Sequence, residues 1–208
     1  MRWVETRGLV LAGLLAALAG FVDAIGYLHL SGLFVSYMSG NSTQLAVALG
    51  QGNLGEAATI AELVALFVVG AAAGQMVAGY TGKWHMTCVL VGVTVLLAIA
   101  GVLSTAPEPM VLAMGALNAA IHRAGHIPVS LTFVTGVLVR FGQGLGDFLT
   151  RRTRGWNWLV QAVPWAGLIT GATFGGAAYL RMGEPVIWLP VAFASFVAAY
   201  SVMIPAPD

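Results

Sequence analysis

The sequence predicts an all-α integral membrane bundle of eight helical segments in two repeated halves, and three observations carry that prediction. The 208 residues are 59% hydrophobic and only 8% charged, with mean hydropathy +0.88, whereas a soluble domain carries roughly a quarter charged side chains. Nine Lys+Arg and eight Asp+Glu cannot cover a water-facing surface of this length, so the solvent that fits is a bilayer. The apolar residues fall into runs separated by short Gly, Pro or charged punctuation, and the motifs of the first half recur in order in the second.

The same arithmetic excludes other classes. A net charge of +1 with one short basic run cannot neutralise the phosphates that dominate nucleic-acid binding. A single cysteine, Cys88, excludes a disulfide framework and any multi-thiolate metal site.

The first segment, Gly8 to Leu28, begins like a secretory signal peptide: Arg2 and Arg7, then an apolar run, then the small triplet Ala17-Leu18-Ala19. The apolar run continues past that triplet and the residues beyond it recur later, so the segment is assigned to the fold. Leu33 to Leu49 follows, interrupted by Ser39-Gly40-Asn41-Ser42-Thr43-Gln44, which predicts a broken helix near Gly40. Ile60 to Tyr80 carries a small-xxx-small stripe at Gly70 and Gly74, and Met86 to Leu103 is continuously apolar. The second half reads as Pro109 to His122, Ile127 to Gly146 with a second break near Gly136, Trp158 to Leu180 with a stripe at Gly171 and Gly175, and Val186 to Ile204. Most of these approach the roughly 20 residues that span about 30 Å of hydrocarbon. Trp3, Trp84, Trp156, Trp158 and Trp188 stand at segment ends, where an indole keeps its ring in the apolar layer and its N–H near the headgroups.

Three matches define the duplication. Gly20-Phe21-Val22-Asp23-Ala24 answers Gly115-Ala116-Leu117-Asn118-Ala119, Ser36-Tyr37-Met38-Ser39-Gly40 answers Thr132-Phe133-Val134-Thr135-Gly136, and Gly70-Ala71-Ala72-Ala73-Gly74 answers Gly171-Ala172-Thr173-Phe174-Gly175. A single membrane domain over 1–208 is expected, with repeats over approximately 8–104 and 107–204. Between six and eight crossings fit the segment lengths. If the first two segments of each half make one net crossing, Lys83 joins Arg2, Arg7, Arg151, Arg152 and Arg154 on one side and Arg181 stands opposite; the positive-inside rule favours that version, which makes the halves inverted.

Asp23 leads the candidate site residues. It is the one acidic residue deep in an apolar run apart from Glu62, which is read as lying near a helix start. A carboxylate at the centre of a membrane helix costs at least about 2.5 to 3.5 kcal/mol, so it faces the interior and has a partner or a task, unless a nearby helix end lets water satisfy it. Asn118 keeps its shape without the charge. The Ser39, Gly40, Asn41 and Thr43 cluster, with Thr135 and Gly136 as its thinner counterpart beside Ser130, Thr132 and Gln143, offers hydroxyls, amides and free backbone N–H groups. Irregular backbone in a membrane persists only where it is buried in protein or lines a watery cavity. The plain alternative for all of these is a packing seam with hydroxyls bonded back to the preceding turn.

Other polar residues read as structural. His122 and His126 share a helical spacing used for metals, but they have no carboxylate neighbour and Arg123 between them repels a cation. His29 and His85 read as interfacial, the Arg151-Arg152-Thr153-Arg154 run as a topology signal and lipid-headgroup contact, and Arg140 as snorkelling or paired with Asp147. No phosphate loop, nucleophile elbow or metalloprotease motif is present, so neither enzyme activity nor a cofactor is expected.

At Gly20-Phe-Val-Asp23-Ala24, Phe34-Val-Ser-Tyr-Met-Ser39-Gly40-Asn41, Asn118-Ala119 and Thr132-Phe-Val-Thr135-Gly136 the chain resembles the YoaK-like family of small bacterial membrane proteins, a family of unknown function. Ser39 stands where that pattern usually shows Thr, which keeps the hydroxyl. The resemblance implies a polytopic inner-membrane protein and no particular reaction. The expectation is therefore a bacterial plasma-membrane permease for a small solute, proton- or cation-coupled, with Asp23, Asn118 and the residues around Gly40 and Gly136 forming its site. The alternative is a non-transporting scaffold. Expected partners are the bilayer and an unidentified solute, with no nucleic acid, and a homo-oligomer contact through the Gly70/Gly74 or Gly171/Gly175 faces.

Overall fold

The computed structural model describes residues 2–104, 106–121, 134–152 and 156–203, and among these the chain is all-helical. Eight α-helices follow in order: α1 (Arg2–His29), α2 (Met38–Gly50), α3 (Leu54–Tyr80), α4 (His85–Val102), α5 (Pro107–Ile121), α6 (Val134–Leu149), α7 (Ala162–Met182) and α8 (Trp188–Val202). Short 3₁₀ turns at Gly82–Trp84, Asn157–Gln161 and Glu184–Ile187 lead into α4, α7 and α8. Four stretches, Arg7–His29, Leu54–Tyr80, Gly82–Val102 and Glu184–Val202, are long and apolar enough on their own to cross a membrane. This is a helical membrane bundle, as the composition predicts.

Several helix starts differ from expectation, with α1 beginning at Arg2 instead of Gly8 and α2 at Met38 instead of Leu33. The third helix begins at Leu54, earlier than Ile60, because Asn53 caps it: its side-chain oxygen accepts the Glu56 N–H at 3.3 Å and its amide donates to the Glu56 carboxylate at 2.8 Å. Glu62 accordingly lies beyond the second turn, with an exposed side chain, instead of near the start. The seventh helix begins at Ala162 rather than Trp158, which belongs to the preceding 3₁₀ turn.

Small residues set the architecture. The Gly13 carbonyl meets Gly167, that of Ala17 meets Gly171 and that of Phe21 meets Gly175, so α1 and α7 run parallel with their backbones in contact. In the same way the Leu112 carbonyl meets Gly70 and that of Ala116 meets Gly74, so α3 and α5 run parallel. The Gly70/Gly74 and Gly171/Gly175 faces are thus packed against neighbouring helices of the same chain. The α4 and α8 pair is antiparallel: Thr87 Oγ1 and Ser201 Oγ share a hydrogen bond of 2.8 Å at one end, while Gly101 lies against Ile187 and Trp188 at the other. Arg7 of α1 donates to the Met203 carbonyl just past α8 at 2.8 Å.

Helix direction follows from these contacts. The starts of α1, α4 and α7 share one end of the bundle with the ends of α3, α5 and α8. Hence α1 and α5, α3 and α7, and α4 and α8 run in opposite senses. Between α1 and α3 the chain leaves and returns at the same end, so α2 makes no net traverse; at 13 residues it is about 20 Å long. The segment between α5 and α7, which contains α6, likewise begins and finishes at one end. Among the described residues α1, α3, α4, α5, α7 and α8 run from one end of the bundle to the other. The main core gathers Leu15, Leu18, Ile25, Leu90, Leu97 and Leu117 around α1, α4 and α5, and a smaller cluster of Ala48, Ala57 and Ile60 ties α2 to α3.

Candidate functional site

Helix α1 ends in a left-handed turn at Ser31 (φ 53°) and Gly32 (φ 105°), with the Gly32 N–H bonded back to the Tyr27 carbonyl at 2.8 Å. The turn sends the chain back alongside α1 without helix over Leu33 to Tyr37. Gly26 makes room for this return, since a Cβ there would run into the Val35 side chain. The loop then passes beside α2: Gln44 donates to the Gly32 carbonyl at 3.0 Å, and Asn41 grips the Phe34 backbone, accepting its N–H at 2.9 Å and donating to its carbonyl at 2.7 Å. Loop and α2 form a re-entrant hairpin.

Asp23 holds the tip of that hairpin to α1. One carboxylate oxygen accepts the Val35 N–H at 2.9 Å and the Ser36 N–H at 2.7 Å, the other accepts the Ser36 hydroxyl at 2.5 Å, and the Tyr37 N–H also approaches it. Asp23 is only 9% exposed and Ser36 only 2%. A loop with no internal backbone ladder has to place its N–H groups somewhere, and here the Asp23 carboxylate takes them.

A cavity of about 530 Å³ opens beside this junction, within the roughly 300–1,000 Å³ of small-molecule sites. Gly20, Asp23 and Tyr27 of α1 face it together with Phe34, Ser36 and Tyr37 of the loop. The opposite wall comes from Thr135 and Leu138 at the start of α6 and from Leu168 and Ala172 of α7. The rings of Tyr27 and Phe34 lie 5.0 Å apart, and those of Phe34 and Tyr37 meet edge to face at 5.2 Å.

Of the residues singled out in the sequence, Asp23 and Thr135 meet in this cavity. Asn41 does not line it; fully buried, it uses both side-chain amide atoms on Phe34 and positions the loop. Asn41→Leu is expected to lower stability by about 1–3 kcal/mol through the unmatched Phe34 backbone groups, measured as a drop in Tm of the purified protein. Ser39 and Thr43 are exposed on α2, and the Thr43 hydroxyl donates back to the Ser39 carbonyl at 3.0 Å. That is the plain reading of the cluster. The irregular backbone precedes Gly40, which sits in the first turn of α2, where its missing Cβ admits the Tyr37 and Phe34 rings. Gly136 is half-buried near the start of α6. Asn118 is half-buried on α5, donates to the Met114 carbonyl at 2.9 Å and is not among the cavity-lining residues. Ser130, Thr132, His122 and His126 lie outside the described residues.

Arg140 differs from expectation: it donates to Gln161 at 3.2 Å, and the partner of Asp147 is Arg152 at 4.0 Å, an exposed contact. No group of three metal-ligating side chains occurs among the described residues. Sequence reading missed Ser36, Tyr27 and Phe34 as site residues. Ser36 opens the Ser36-to-Gly40 motif, so its polar side chain among apolar neighbours was an available signal; the aromatic rings had none.

Residues 11–200 match the family described as Protein of unknown function (DUF1275). The chain belongs to that family. It is also 38% identical over 202 residues to the UPF0700 transmembrane protein RA0705 of Rhizobium meliloti (strain 1021), a likeness covering 95% of this chain and 88% of the relative. No solved structure matches. For a DUF1275 chain the match to a transmembrane relative agrees with the apolar helices, and Asp23, Ser36 and Asn41 all fall inside the matched region.

Proposed function

We propose that this protein is a permease for a small solute in the bacterial plasma membrane, with its solute site in the Asp23 cavity between two inverted repeats. The carrying observation is that a buried carboxylate, a stretch of non-helical backbone and the start of α6 line one half-open cavity. Transporters built from inverted repeats bind solutes on discontinuous helices of this kind. The repeat reading has its own support. Gly20 lies against Leu168 and Ala172, and its counterpart Gly115 lies against Phe67 and Ala71, so both partners of each contact are displaced by the offsets of about 95 to 101 that align the halves. The Gly171–Ala17 and Gly70–Leu112 contacts correspond in the same way. On the same motifs we read the chain as YoaK-like within its family.

Arg7, Lys83 and the Arg151-Arg152 pair belong to the end that holds the starts of α1, α4 and α7, and Arg181 to the other, which makes the first end cytoplasmic under the positive-inside rule. After Cys88→Ala, single cysteines introduced by Lys83→Cys and Arg181→Cys are expected to react with an impermeant thiol reagent from opposite sides of intact cells. Labelling from one side at both would refute the inverted arrangement.

In this reading Asp23 takes a positive charge, either a coupling ion or the solute's own, and Thr135 lies across the cavity from it. A thermal-shift panel of metabolites on purified protein, followed by uptake of the stabilising ones into proteoliposomes, tests the proposal. Solute-dependent stabilisation and uptake, both lost in Asp23→Asn, are the expected result. A well-folded protein that no solute stabilises favours the scaffold reading, for which the Asp23 hydrogen bonds are support because they also lock the hairpin.

A further inference from the structure

We propose that the solute bound in the Asp23 cavity is a small organic monocation: an ammonium group carrying an apolar body. This rests on the reading of the cavity as the solute site and names the class of solute. Among the described residues Asp23 is the one carboxylate on the cavity wall, and no described Lys, Arg or His lines it. Among the described residues no ion pair to Asp23 occurs. Its hydrogen-bond partners, the Val35 and Ser36 amides and the Ser36 hydroxyl, are neutral dipoles. They donate to the carboxylate but supply no counter-charge when it is ionised. A buried charge in that state is costly, and an incoming cation relieves the cost.

The remaining wall selects among cations. Na⁺ and Ca²⁺ require a shell of oxygen ligands, whereas the hydroxyls and carboxylate here are few and the carboxylate oxygens already accept N–H and O–H donors. Tyr27, Phe34 and Tyr37 contribute aromatic rings to one cavity, and Leu138, Leu168 and Ala172 add hydrocarbon to its wall. Aromatic faces attract weakly hydrated ammonium groups, and hydrocarbon accommodates an apolar body. Anionic solutes meet the Asp23 charge, and neutral ones gain nothing from it.

The test uses the full chain in lipid nanodiscs with three probes of similar size: benzyltrimethylammonium chloride, benzyl alcohol and sodium phenylacetate, at ionic strength matched with NaCl. A saturable rise in Tm with the ammonium alone is expected. Tyr27→Leu, which leaves Asp23 in place, is expected to weaken ammonium binding about fivefold, and Asp23→Asn to remove it. Should Asp23→Asn fail to fold, the charge series and Tyr27→Leu still decide. Equal stabilisation by benzyl alcohol or phenylacetate overturns the proposal, as does ammonium affinity unchanged in Tyr27→Leu. Counterflow of radiolabelled probe in proteoliposomes separates the two readings. Ammonium binding without counterflow keeps the organic-cation site and removes the permease; counterflow of the alcohol or the phenylacetate without ammonium binding keeps the permease and removes the cation class.

Discussion

Gly171→Ala is expected to lower the stability of the bundle by about 3 kcal/mol or more, although it adds a single methyl group to a helix. The added Cβ would collide with the Ala17 backbone carbonyl, and backbone cannot step aside as a side-chain tip can. Overpacking a well-packed site costs about 1–3 kcal/mol, and here the whole α1–α7 seam has to part. Gly167 against Gly13, Gly175 against Phe21 and Gly20 against Leu168 would all separate together. Without a hydrophobic force between helices in lipid, such close van der Waals packing is a principal source of association. Gly70→Ala is expected to act alike, because its Cβ would strike the Leu112 carbonyl. Gly92→Ala is the control: nothing lies within 4 Å of a Cβ there, so the better helix propensity of alanine, about 1 kcal/mol at most, is the main effect. Thermal unfolding of the three variants in one detergent makes the comparison. Similar Tm values for Gly171→Ala and Gly92→Ala would mean that the α1–α7 seam is not where the packing stability resides.

Asp23→Ala is expected to release the re-entrant hairpin and to remove solute-dependent signals together. It takes the acceptor away from the Val35 N–H, the Ser36 N–H and the Ser36 hydroxyl at once. Each buried group left unmatched costs about 1–3 kcal/mol, and water entering the cavity offsets part of the sum, so a net loss of about 3 kcal/mol is expected. Asp23→Asn is expected to lose less, about 1–2 kcal/mol, because one oxygen still serves the two amides and the new NH₂ meets a hydroxyl that also accepts. The discriminating readout is hydrogen exchange: the Val35 and Ser36 amides should exchange far faster in Asp23→Ala while the α4 amides change little. Unchanged protection at Val35 and Ser36 would show that the loop is held by something other than this carboxylate. Solute effects lost in Asp23→Asn, with protection at Val35 and Ser36 largely kept, would separate the charge of Asp23 from its latch role.

Asp23 stands out in the sequence alone because its cost in an apolar run is independent of the fold. Its partner does not. Ser36 is thirteen positions on in the chain, and only the left-handed turn at Ser31-Gly32 and the space left by Gly26 return the loop to it. Asn41 shows the opposite error, since a polar residue in a membrane segment reads as a ligand for a solute until the Phe34 backbone is seen to occupy it. The glycine stripes were legible as close-approach faces, but the pattern is blind to whether the approaching helix belongs to the same chain.

Composition and residue order specify the solvent, the helical class, the approximate segments and one costly carboxylate. Each of these follows from residue chemistry against hydrocarbon, which acts locally. Long-range packing sets which helices run parallel, that α2 makes no net traverse of the bundle, and that Asp23, Ser36 and Thr135 share one cavity. Those outcomes depend on contacts between residues far apart in the chain, and in lipid such contacts are selected by shape and hydrogen-bond matching, which hydropathy does not encode.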